Sequence, residues 1–439
     1  MPRGANRGTD RAVTAVSNPS APALVARAAA LKLLEAALAK RGGLDEALGE
    51  RTHGLLSTQD RAFARALVMA TLRRLGPIDR ALDARLKREP PALVRNLLRL
   101  GLAQAFWLDT PDFAAVDTTV SLTPEPLRGL VNAVLRGVLR EGPPDEAPDC
   151  LAPAWLFARW RAVHGEAGAL AIASQIAEEP ATDLTLRDPA DVALAGDLEA
   201  ERLPQGSLRC RRRGDVATWP GYQAGRWWVQ DAAAAFPARL LGAQPGERVL
   251  DLCAAPGGKS LQLAAAGAAV TAVDRSAGRL RRLLAGLART GLSAEVVTAD
   301  ATAWTDRRTF DAVLLDAPCS ATGTFRHHPD VLWNARPGDI APLAAVQAEL
   351  LIAAAGRVRP GGRLIYAVCS LECEEGEAQA RAFLAHRPDF ALDPIAPGEG
   401  GAPAASRAPE GWLRILPHHL PGGLDGFFIA RFTRAKSER

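Results

Sequence analysis

From Gly246 onward, the sequence alternates between short apolar strands and longer helical segments, and this alternation restricts the fold more than any other feature. Helical stretches between successive strands are typical of a parallel sheet that is covered by helices on both faces. The sequence therefore predicts an α/β fold with a Rossmann-like, doubly wound sheet over residues 241–435. The predicted strands span residues 248–253, 268–274, 294–300, 311–316, 363–369 and 427–432.

The first third of the chain is predicted to be an all-helical domain over residues 21–142. Leu24, Ala28, Leu31 and Leu34 recur at three- and four-residue steps, as on one face of an amphipathic helix. Further helical segments are predicted at residues 57–74, 78–86, 92–106 and 127–139. The polar residues 1–20 are predicted to be a disordered lead. Residues 141–148 read as a linker, and residues 151–240 as a mixed linking subdomain.

Charge is divided unevenly along the chain. Residues 1–142 carry 21 basic and 14 acidic side chains, whereas the remainder carries 32 basic and 35 acidic ones. Most of the cations are Arg, whose planar guanidinium suits phosphate oxygens, so the first third favours a nucleic-acid partner. A solvated helical surface without a partner would have the same composition.

The six cysteines are too few and too scattered for a disulfide framework. Residues 1–19 lack the apolar core of a signal peptide, and no apolar run approaches the roughly 20 residues that span a bilayer. We therefore expect a cytoplasmic, monomeric protein with no membrane partner.

A glycine-rich turn follows the first strand of the predicted sheet and precedes a helix. Such a turn lets the backbone approach a nucleotide cofactor at the helix N-terminus. A phosphate-binding P-loop would need Gly where Cys253 stands, and a GxGxxG motif is also missing. The turn comprises Cys253, Ala254, Ala255, Pro256, Gly257, Gly258 and Lys259.

Acidic residues end three of the predicted strands, at Asp274, Asp300 and Asp316. Carboxylates in a row along one sheet edge would repel a polyphosphate. They suit a cofactor with ribose hydroxyls, an adenine amino group and a positively charged centre. S-adenosylmethionine has all three features, whereas each Asp considered alone could simply cap a helix.

Two cysteines follow predicted neighbouring strands, Cys319 after the fourth and Cys369 after the fifth. We expect both to face the crevice beside the cofactor, each before a Ser and a helix N-terminus that would lower its pKa. A zinc site fits poorly, because Cys369 and Cys373 lack a second tight ligand pair. Beside a methyl donor, a thiolate can add to C6 of cytosine and so activate C5 for methylation. Asp316 would then protonate or hydrogen-bond N3 of the base.

Taken together, several segments resemble the Sun (Fmu) type of ribosomal RNA cytosine-C5 methyltransferase, a bacterial small-subunit enzyme with a NusB-like N-terminal domain. The resemblance covers nearly the whole chain from about residue 22. The matching segments are residues 131–136, 230–231, 251–260, 316–323, 328–330, 360–362, 366–370 and 425–428.

The resemblance implies that residues 253–259, Asp274, Asp300 and Asp316 contact S-adenosylmethionine. It also implies that Cys369 is the nucleophile and that Cys319 assists product release, an order that the spacing alone leaves open. The helical domain and residues 151–240 would grip ribosomal RNA, with residues 209–213 as a candidate contact. No metal is implied.

The chain departs from the family pattern at Ala321, at Ala367-Val368, at Gly376 and at Asp188, where the family usually has other residues. None of these changes removes a reacting atom. Two alternatives stay open: the same chemistry on transfer RNA or DNA, and a non-catalytic RNA-binding assembly or antitermination factor.

Overall fold

The structure, a computed structural model, describes residues 21–39, 43–48 and 56–436. The predicted disordered lead at residues 1–20 lies outside the described residues. Internal contacts divide the chain into two compact units whose boundary falls between Pro144 and Asp145, within the predicted linker. Residues 151–240 and 241–435 belong to the same unit.

The described part of the first unit is helical. Ser57 begins α3 as its N-cap, with Oγ accepting a hydrogen bond of 3.1 Å from the N–H of Asp60. The sequence failed to predict α6, because its inner face carries Thr118 and Thr119 in place of aliphatic residues. Both hydroxyls donate to backbone carbonyls one turn earlier, at 2.7 Å, so they are buried without an unpaired donor. The helices are α1 Ala21–Leu38, α2 Gly43–Leu48, α3 Thr58–Arg73, α4 Leu75–Asp83, α5 Ala92–Trp107, α6 Asp112–Leu122 and α7 Arg128–Glu141.

The second unit begins with α8, Ala154–Ser174, which Gly165 interrupts with a φ of 72°. The sequence pattern predicts two helices here, over residues 155–164 and 167–178. A four-stranded antiparallel sheet follows, in the order β2-β3-β1-β4. Its elements are β1 Thr182–Leu186, α9 Ala193–Asp197, β2 Glu201–Arg202, β3 Leu208–Cys210 and β4 Trp227–Val229.

Arg209, a predicted RNA contact, is instead part of the interior. It is 4% exposed and makes a two-pronged ion pair of 2.8 Å with the carboxylate of Asp183 on the neighbouring strand. Its remaining N–H groups donate to the carbonyls of Pro421 and Gly423. Arg211, Arg212 and Arg213 are exposed, so only this part of the basic run is available to a partner.

The large sheet has the order β10-β12-β9-β8-β5-β6-β7, with β11 paired to β12. Strands β5 to β9 pair in parallel, as predicted, and β10, β11 and β12 are antiparallel additions at one edge. The strands are β5 Arg248–Leu252, β6 Ala269–Asp274, β7 Glu295–Thr298, β8 Phe310–Asp316, β9 Val358–Val368, β10 Phe390–Leu392, β11 Leu413–Ile415 and β12 Phe427–Arg434. The helices are α10 Phe236–Leu241, α11 Gly258–Ala265, α12 Ala277–Thr290, α13 Asp330–Asn334, α14 Pro337–Arg357 and α15 Glu377–His386.

Helices cover both faces of this sheet. Leu261 of α11 and Leu283 of α12 pack into the hydrophobic core on one face, whereas Leu351 of α14 and Phe383 of α15 pack into the core on the other. The doubly wound arrangement predicted from the sequence is therefore correct. One expectation was wrong: residues 299–309, between β7 and β8, form a turn and an extended segment instead of a helix.

The expectation that no apolar segment reaches the length of a membrane span was also wrong. Helix α14 is 21 residues long and apolar enough to cross a membrane by length and composition alone. Its residues Leu350, Leu351, Ala354 and Ala355 are buried in the hydrophobic core on one face of the sheet. The same composition is found in the core helix of a water-soluble domain.

Candidate active site

The carboxyl edge of the central strands brings the predicted site residues into one region. Strand β8 lies between β5 and β9, so the loops that follow these three strands are neighbours. Asp316 on β8 is in register with Ala367 on β9, and the two cysteines follow them within three residues. The Sγ atoms of Cys319 and Cys369 consequently lie 3.5 Å apart.

The surroundings of Cys319 differ from those that the sequence suggested. The hydrogen bond with Cys369 raises the pKa of Cys319 well above its usual value, and burial and the charge of Glu375 raise it further. No helix begins after Cys319, because the chain turns there, so the helix dipole that would lower the pKa is missing. Cys319 therefore loses its proton less readily than an ordinary thiol, and either sulfur can be the donor in the hydrogen bond between the two cysteines.

A buried ion pair stands beside the thiols. Lys259 Nζ lies 2.7 Å from Asp316 Oδ2 and 5.4 Å from the centre of the Phe427 ring. Burial alone would lower the pKa of Lys259, but Asp316 and the nearby sulfur of Cys369 raise it. Asp316 thus acts as a paired acceptor, and the proton available at this position is carried by Lys259.

The glycine-rich turn is shaped by its packing against α12. Gly257 has a φ of 115°, and a Cβ there would lie 2.5 Å from Cδ1 of Leu283. Only glycine fits this position, because Leu283 fills the space that a side chain would need. The role of the turn as a cofactor loop stays a prediction.

Asp274 supports this turn directly. Its Oδ2 accepts a hydrogen bond of 3.1 Å from the N–H of Ala255, and its Oδ1 accepts one of 2.8 Å from the N–H of Ser276. The side chain is nearly inaccessible, at 4% exposure. It therefore fixes the loop as well as lying at the end of β6, where a ribose would be bound.

Asp251, inside β5, is a member of this site that the sequence reading missed. Burial and the negative charges of Asp316 and Asp274 raise its pKa to about 7, against a lowering by Ser260 and Lys259. Ser260 donates to its Oδ2 at 2.5 Å, whereas its Oδ1 has no hydrogen-bond partner among the described residues. An acid inside an otherwise apolar strand was the available signal.

The charge around the loop suits a cationic cofactor. Asp251, Asp274 and Asp316 lie close to the ammonium group of Lys259, and Nη1 of Arg279 lies 3.9 Å from Oδ2 of Asp274. Because the pKa of Asp251 is about 7, this acid is only partly ionised at neutral pH. Burial and the same three acids raise the pKa of Cys253 to about 12, which keeps its thiol protonated. Asp274 and Asp316 are the acids that would favour a positive charge on a cofactor.

Asp300, the third predicted strand-end acid, is different. It is exposed, and its Oδ1 accepts hydrogen bonds from the N–H and the hydroxyl of Thr302, at 2.9 and 2.6 Å. It lies just beyond β7, the outermost strand on this side of the sheet. In the structure it caps a turn, and its contact with a cofactor stays a prediction.

Two glycines join the C-terminal Asp-Gly-Phe-Phe segment to the cysteine loops. The N–H of Gly323 donates to the carbonyl of Cys369 at 3.0 Å, and the N–H of Gly426 donates to the carbonyl of Gly323 at 2.8 Å. A Cβ on Gly323 would lie only 2.2 Å from the carbonyl oxygen of Gly426. This close approach explains why both segments carry glycine.

Two departures from the family pattern have structural consequences. Ala321 has a φ of 57°, in the left-handed region that glycine enters without penalty, so this turn carries strain of about 1–2 kcal/mol. At Gly376, a Cβ would lie 2.3 Å from Nη2 of Arg414. Arg414 thus occupies the space that a larger side chain at position 376 would need.

A polar cluster lies next to the C-terminal segment. Asp231, His327 and Asp425 bring their ligand atoms within 4.8 Å of one another, and Arg326 approaches Asp231 to 3.8 Å. Burial and the charge of Asp231 raise the pKa of Asp425 to about 7. His327 donates to Asp231 over 3.2 Å, and despite burial the two acids raise its pKa. This cluster connects the Gln-Asp segment at residues 230–231 to the active-site edge.

The fold and this site together define an α/β methyltransferase that uses S-adenosylmethionine. The parallel strands place a glycine-rich loop, several carboxylates and a pair of thiols at one edge.

Known proteins identify the family. Residues 238–433 match the family described as 16S rRNA methyltransferase RsmB/F, and residues 24–140 match the NusB family. The ribosomal RNA small subunit methyltransferase B of Xanthomonas campestris pv. campestris is 36% identical, covering 95% of this chain and 98% of that protein. The protein of the same name from Thermus thermophilus is 38% identical, covering 87% and 90%. The chain therefore belongs to the RsmB/F family of 16S rRNA methyltransferases.

A solved structure agrees over the same length. The crystal structure of PH0851 superposes with a TM-score of 0.75 and 26% identity, covering 95% of this chain and 100% of its own. The likeness extends over the helical unit as well as the methyltransferase unit.

Proposed function

We propose that this protein methylates C5 of a cytosine in small-subunit ribosomal RNA, through a covalent bond between Cys369 and C6 of the base. The observation that carries the proposal is the 3.5 Å pairing of Cys319 and Cys369 at the cofactor edge of the sheet. Family membership supports ribosomal RNA as the substrate. The thiol pair supports cytosine C5, because that carbon accepts a methyl group only after a nucleophile has added to C6.

The cofactor site consists of the turn at residues 253–259 together with Asp274, Asp316 and Asp251. When bound there, S-adenosylmethionine supplies an electrophilic methyl group from a sulfonium centre. Asp274 and Asp316 favour that positive charge, and the missing side chain at Gly257 lets the turn pack closely against Leu283 of α12.

Four residues around the base have separate roles in the proposed reaction. Cys369, as a thiolate, uses a sulfur lone pair to form a bond to C6, and the π electrons of the C5=C6 bond shift onto C5, which becomes nucleophilic. Lys259 donates a hydrogen bond to the base at N3 or O2 while Asp316 holds the ammonium in place. After methylation, the C5 proton leaves to a base, the C6–S bond breaks, and the electron pair returns to Cys369. Cys319 assists this release by donating its S–H to the departing sulfur.

The RNA is bound outside this pocket. The target cytosine has to leave its stack to reach both thiols. We propose that the helical unit and residues 151–240, including the exposed Arg211, Arg212 and Arg213, hold the surrounding RNA through its phosphates. Binding should then weaken steeply with salt. In this proposal the protein acts as a monomer in the cytoplasm.

The test is methyl transfer from radiolabelled S-adenosylmethionine to 16S ribosomal RNA, both naked and in small subunits, with bisulfite mapping of the modified cytosine. Cells with and without the protein provide the matching comparison. If only transfer RNA or DNA became labelled, the proposed reaction would stand and ribosomal RNA would be the wrong substrate. No label in any nucleic acid, with RNA binding intact, would favour an assembly or antitermination factor.

A further inference from the structure

Glu375 is a fully buried carboxylate between the two cysteine loops, and the proposed mechanism does not use it. Its side chain is 0% exposed. Each of the two catalytic cysteines is followed by a serine, Ser320 and Ser370, and both serines turn toward Glu375. An ionised carboxylate this deep in a protein needs several donors to offset its desolvation.

The hydrogen bonds of Glu375 reach both loops. Oε2 accepts from the hydroxyls of Ser320 and Ser370, each at 2.5 Å. Oε1 accepts from the backbone N–H of Ser320 at 2.9 Å and from Nε2 of Gln347 at 3.0 Å. One carboxylate thus ties the loop after β8 to the loop after β9, one residue from each thiol.

Glu375 is itself held from behind. The hydroxyl of Tyr366, on β9, donates to the carbonyl of Glu375 at 2.6 Å. Nε2 of Gln347, on α14, also donates to the carbonyl of Pro318, at 2.9 Å, just before Cys319. The carboxylate therefore has a fixed position relative to the sheet and to α14.

We propose that Glu375 is a positioning residue that sets the separation and orientation of Cys319 and Cys369, acting through Ser320 and Ser370. This inference rests on the proposed function, because it assumes that both thiols act in the same methyl-transfer reaction. Oε2 is bonded to two hydroxyls, and charge-assisted bonds of this kind are shorter and stronger than neutral ones. Several other hydrogen bonds between the loops are neutral: the N–H of Gly323 donates to the carbonyl of Cys369, the hydroxyls of Ser320 and Ser370 lie 3.1 Å apart, and the N–H of Leu371 donates to Thr322 Oγ1. Glu375 adds a charged acceptor that contacts both serines.

The charge of Glu375 also acts on one of the thiols. It is among the causes that raise the pKa of Cys319, after the Cys369 hydrogen bond and burial. An amide at position 375 has nearly the same size without the charge. Replacing the acid by the amide should therefore let Cys319 ionise at lower pH, whether or not RNA is methylated.

The experiment measures three variants: Glu375→Gln, Ser370→Ala and the double variant that combines these two changes. Glu374→Gln is the control. Glu374 is adjacent in sequence but about half exposed, and it pairs with Arg159 instead. We expect Glu375→Gln and Ser370→Ala each to lower kcat at least about tenfold with KM for S-adenosylmethionine within twofold, since a misplacement near 1 Å can cost about 100-fold. The double variant should lose no more than the worse single variant, because both changes break one connection.

A second measurement does not depend on activity. Alkylation of Cys319, mapped by mass spectrometry across pH, should shift to lower pH in Glu375→Gln and stay unchanged in Glu374→Gln. If the wild type fails to methylate RNA, the proposed function is wrong, and the alkylation profile still decides the role of Glu375.

Three results would overturn the positioning role: kcat within threefold of the wild type in folded Glu375→Gln, additive losses in the double variant, or an unshifted Cys319 profile. Should Glu375→Gln fail to fold, Ser370→Ala decides the matter. This change removes the hydroxyl that joins the Cys369 loop to the carboxylate, together with its contacts to Ser320, Thr322 and the N–H of Glu372.

Discussion

The Sγ atoms of Cys319 and Cys369 lie 3.5 Å apart, although the residues are 50 positions apart in the chain. The parallel pairing of β8 with β9 produces this contact, since Asp316 and Ala367 are in register and each precedes its cysteine by two or three residues. The raised pKa of Cys319 is consistent with the proposal that Cys369 is the sulfur that attacks.

Cys369→Ala should abolish methyl transfer, with kcat reduced at least about 10³-fold, because no other group can add to C6 of the base. Binding of S-adenosylmethionine, measured by calorimetry, should stay within threefold of the wild type. Cys253→Ala is the control, because it removes a different thiol, in the predicted cofactor loop. Since the thiol of Cys253 is neutral in the wild type, its loss should leave the chemical step intact. Methyl transfer by Cys369→Ala would refute the assignment of the nucleophile.

Cys319→Ala should accumulate a covalent protein–RNA adduct, because the hydrogen-bond donor to the departing sulfur is lost while Cys369 still attacks. Denaturing gel electrophoresis with labelled RNA would reveal a slow band that nuclease removes. The same band should be absent from Cys369→Ala and from the double cysteine variant. Recovery of only free RNA from Cys319→Ala would reject its role in release.

Gly257→Ala should weaken binding of S-adenosylmethionine at least about tenfold. An L-residue at a φ of 115° is strained by about 1–2 kcal/mol, and its Cβ would collide with Leu283. Gly291→Ala is the matched control, because Gly291 also has a positive φ, 65°, but open space around it. Equal affinity for the cofactor in both variants would show that the turn at Gly257 does not shape the site.

Asp183→Asn should lower the free energy of unfolding by about 3–5 kcal/mol, because Arg209 would remain buried without its carboxylate. Glu179→Gln breaks an exposed pair with Arg213 and should cost less than about 0.5 kcal/mol. Urea denaturation of the two variants measures both values. Similar values for the two would mean that the burial of Arg209 has no energetic consequence.

The buried acid Asp425 should make stability fall as pH rises. Its pKa is about 7 in the folded protein and about 3.9 in the unfolded chain, so only the folded state holds the proton between these values. The free energy of unfolding should then fall by up to about 1.4 kcal/mol per pH unit toward neutrality. In Asp425→Asn, this fall in the free energy of unfolding between pH 5 and pH 7 should be absent.

The control for this pH dependence is Asp306→Asn, since hydrogen bonds to Arg308 hold the pKa of that exposed acid below its usual value. Its stability should follow the wild type over the same range. A constant difference in stability between the wild type and Asp425→Asn from pH 5 to pH 7 would show that Asp425 is ionised throughout.

Much of the fold follows from the sequence. The alternation of strands and helices, the glycine-rich turn and a helix beginning near Ser57 were predicted correctly, because each depends on local periodicity or on a single turn. The two cysteines were expected at one edge because strands four and five of a parallel sheet are neighbours. Helix α6 was missed, since its buried face uses threonine hydroxyls bonded to its own backbone.

Other features depend on residues that are distant in the chain, and only the tertiary structure decided them. The sequence predicted that Arg209 belongs to a basic surface. In the structure it is buried, because it pairs with Asp183 on the adjacent strand. The pKa of Cys319 is raised where the sequence suggested a lowered one, because the partner sulfur and burial outweigh local position.

The sequence by itself determined the order of elements, the family and the position of the glycine-rich turn, and it predicted which groups react. The tertiary structure decided which groups are buried, which carry protons, and how Glu375 joins the two cysteine loops. The reason is physical: periodicity and turns are set by neighbours in the chain, whereas burial and electrostatic interactions are set by neighbours in space.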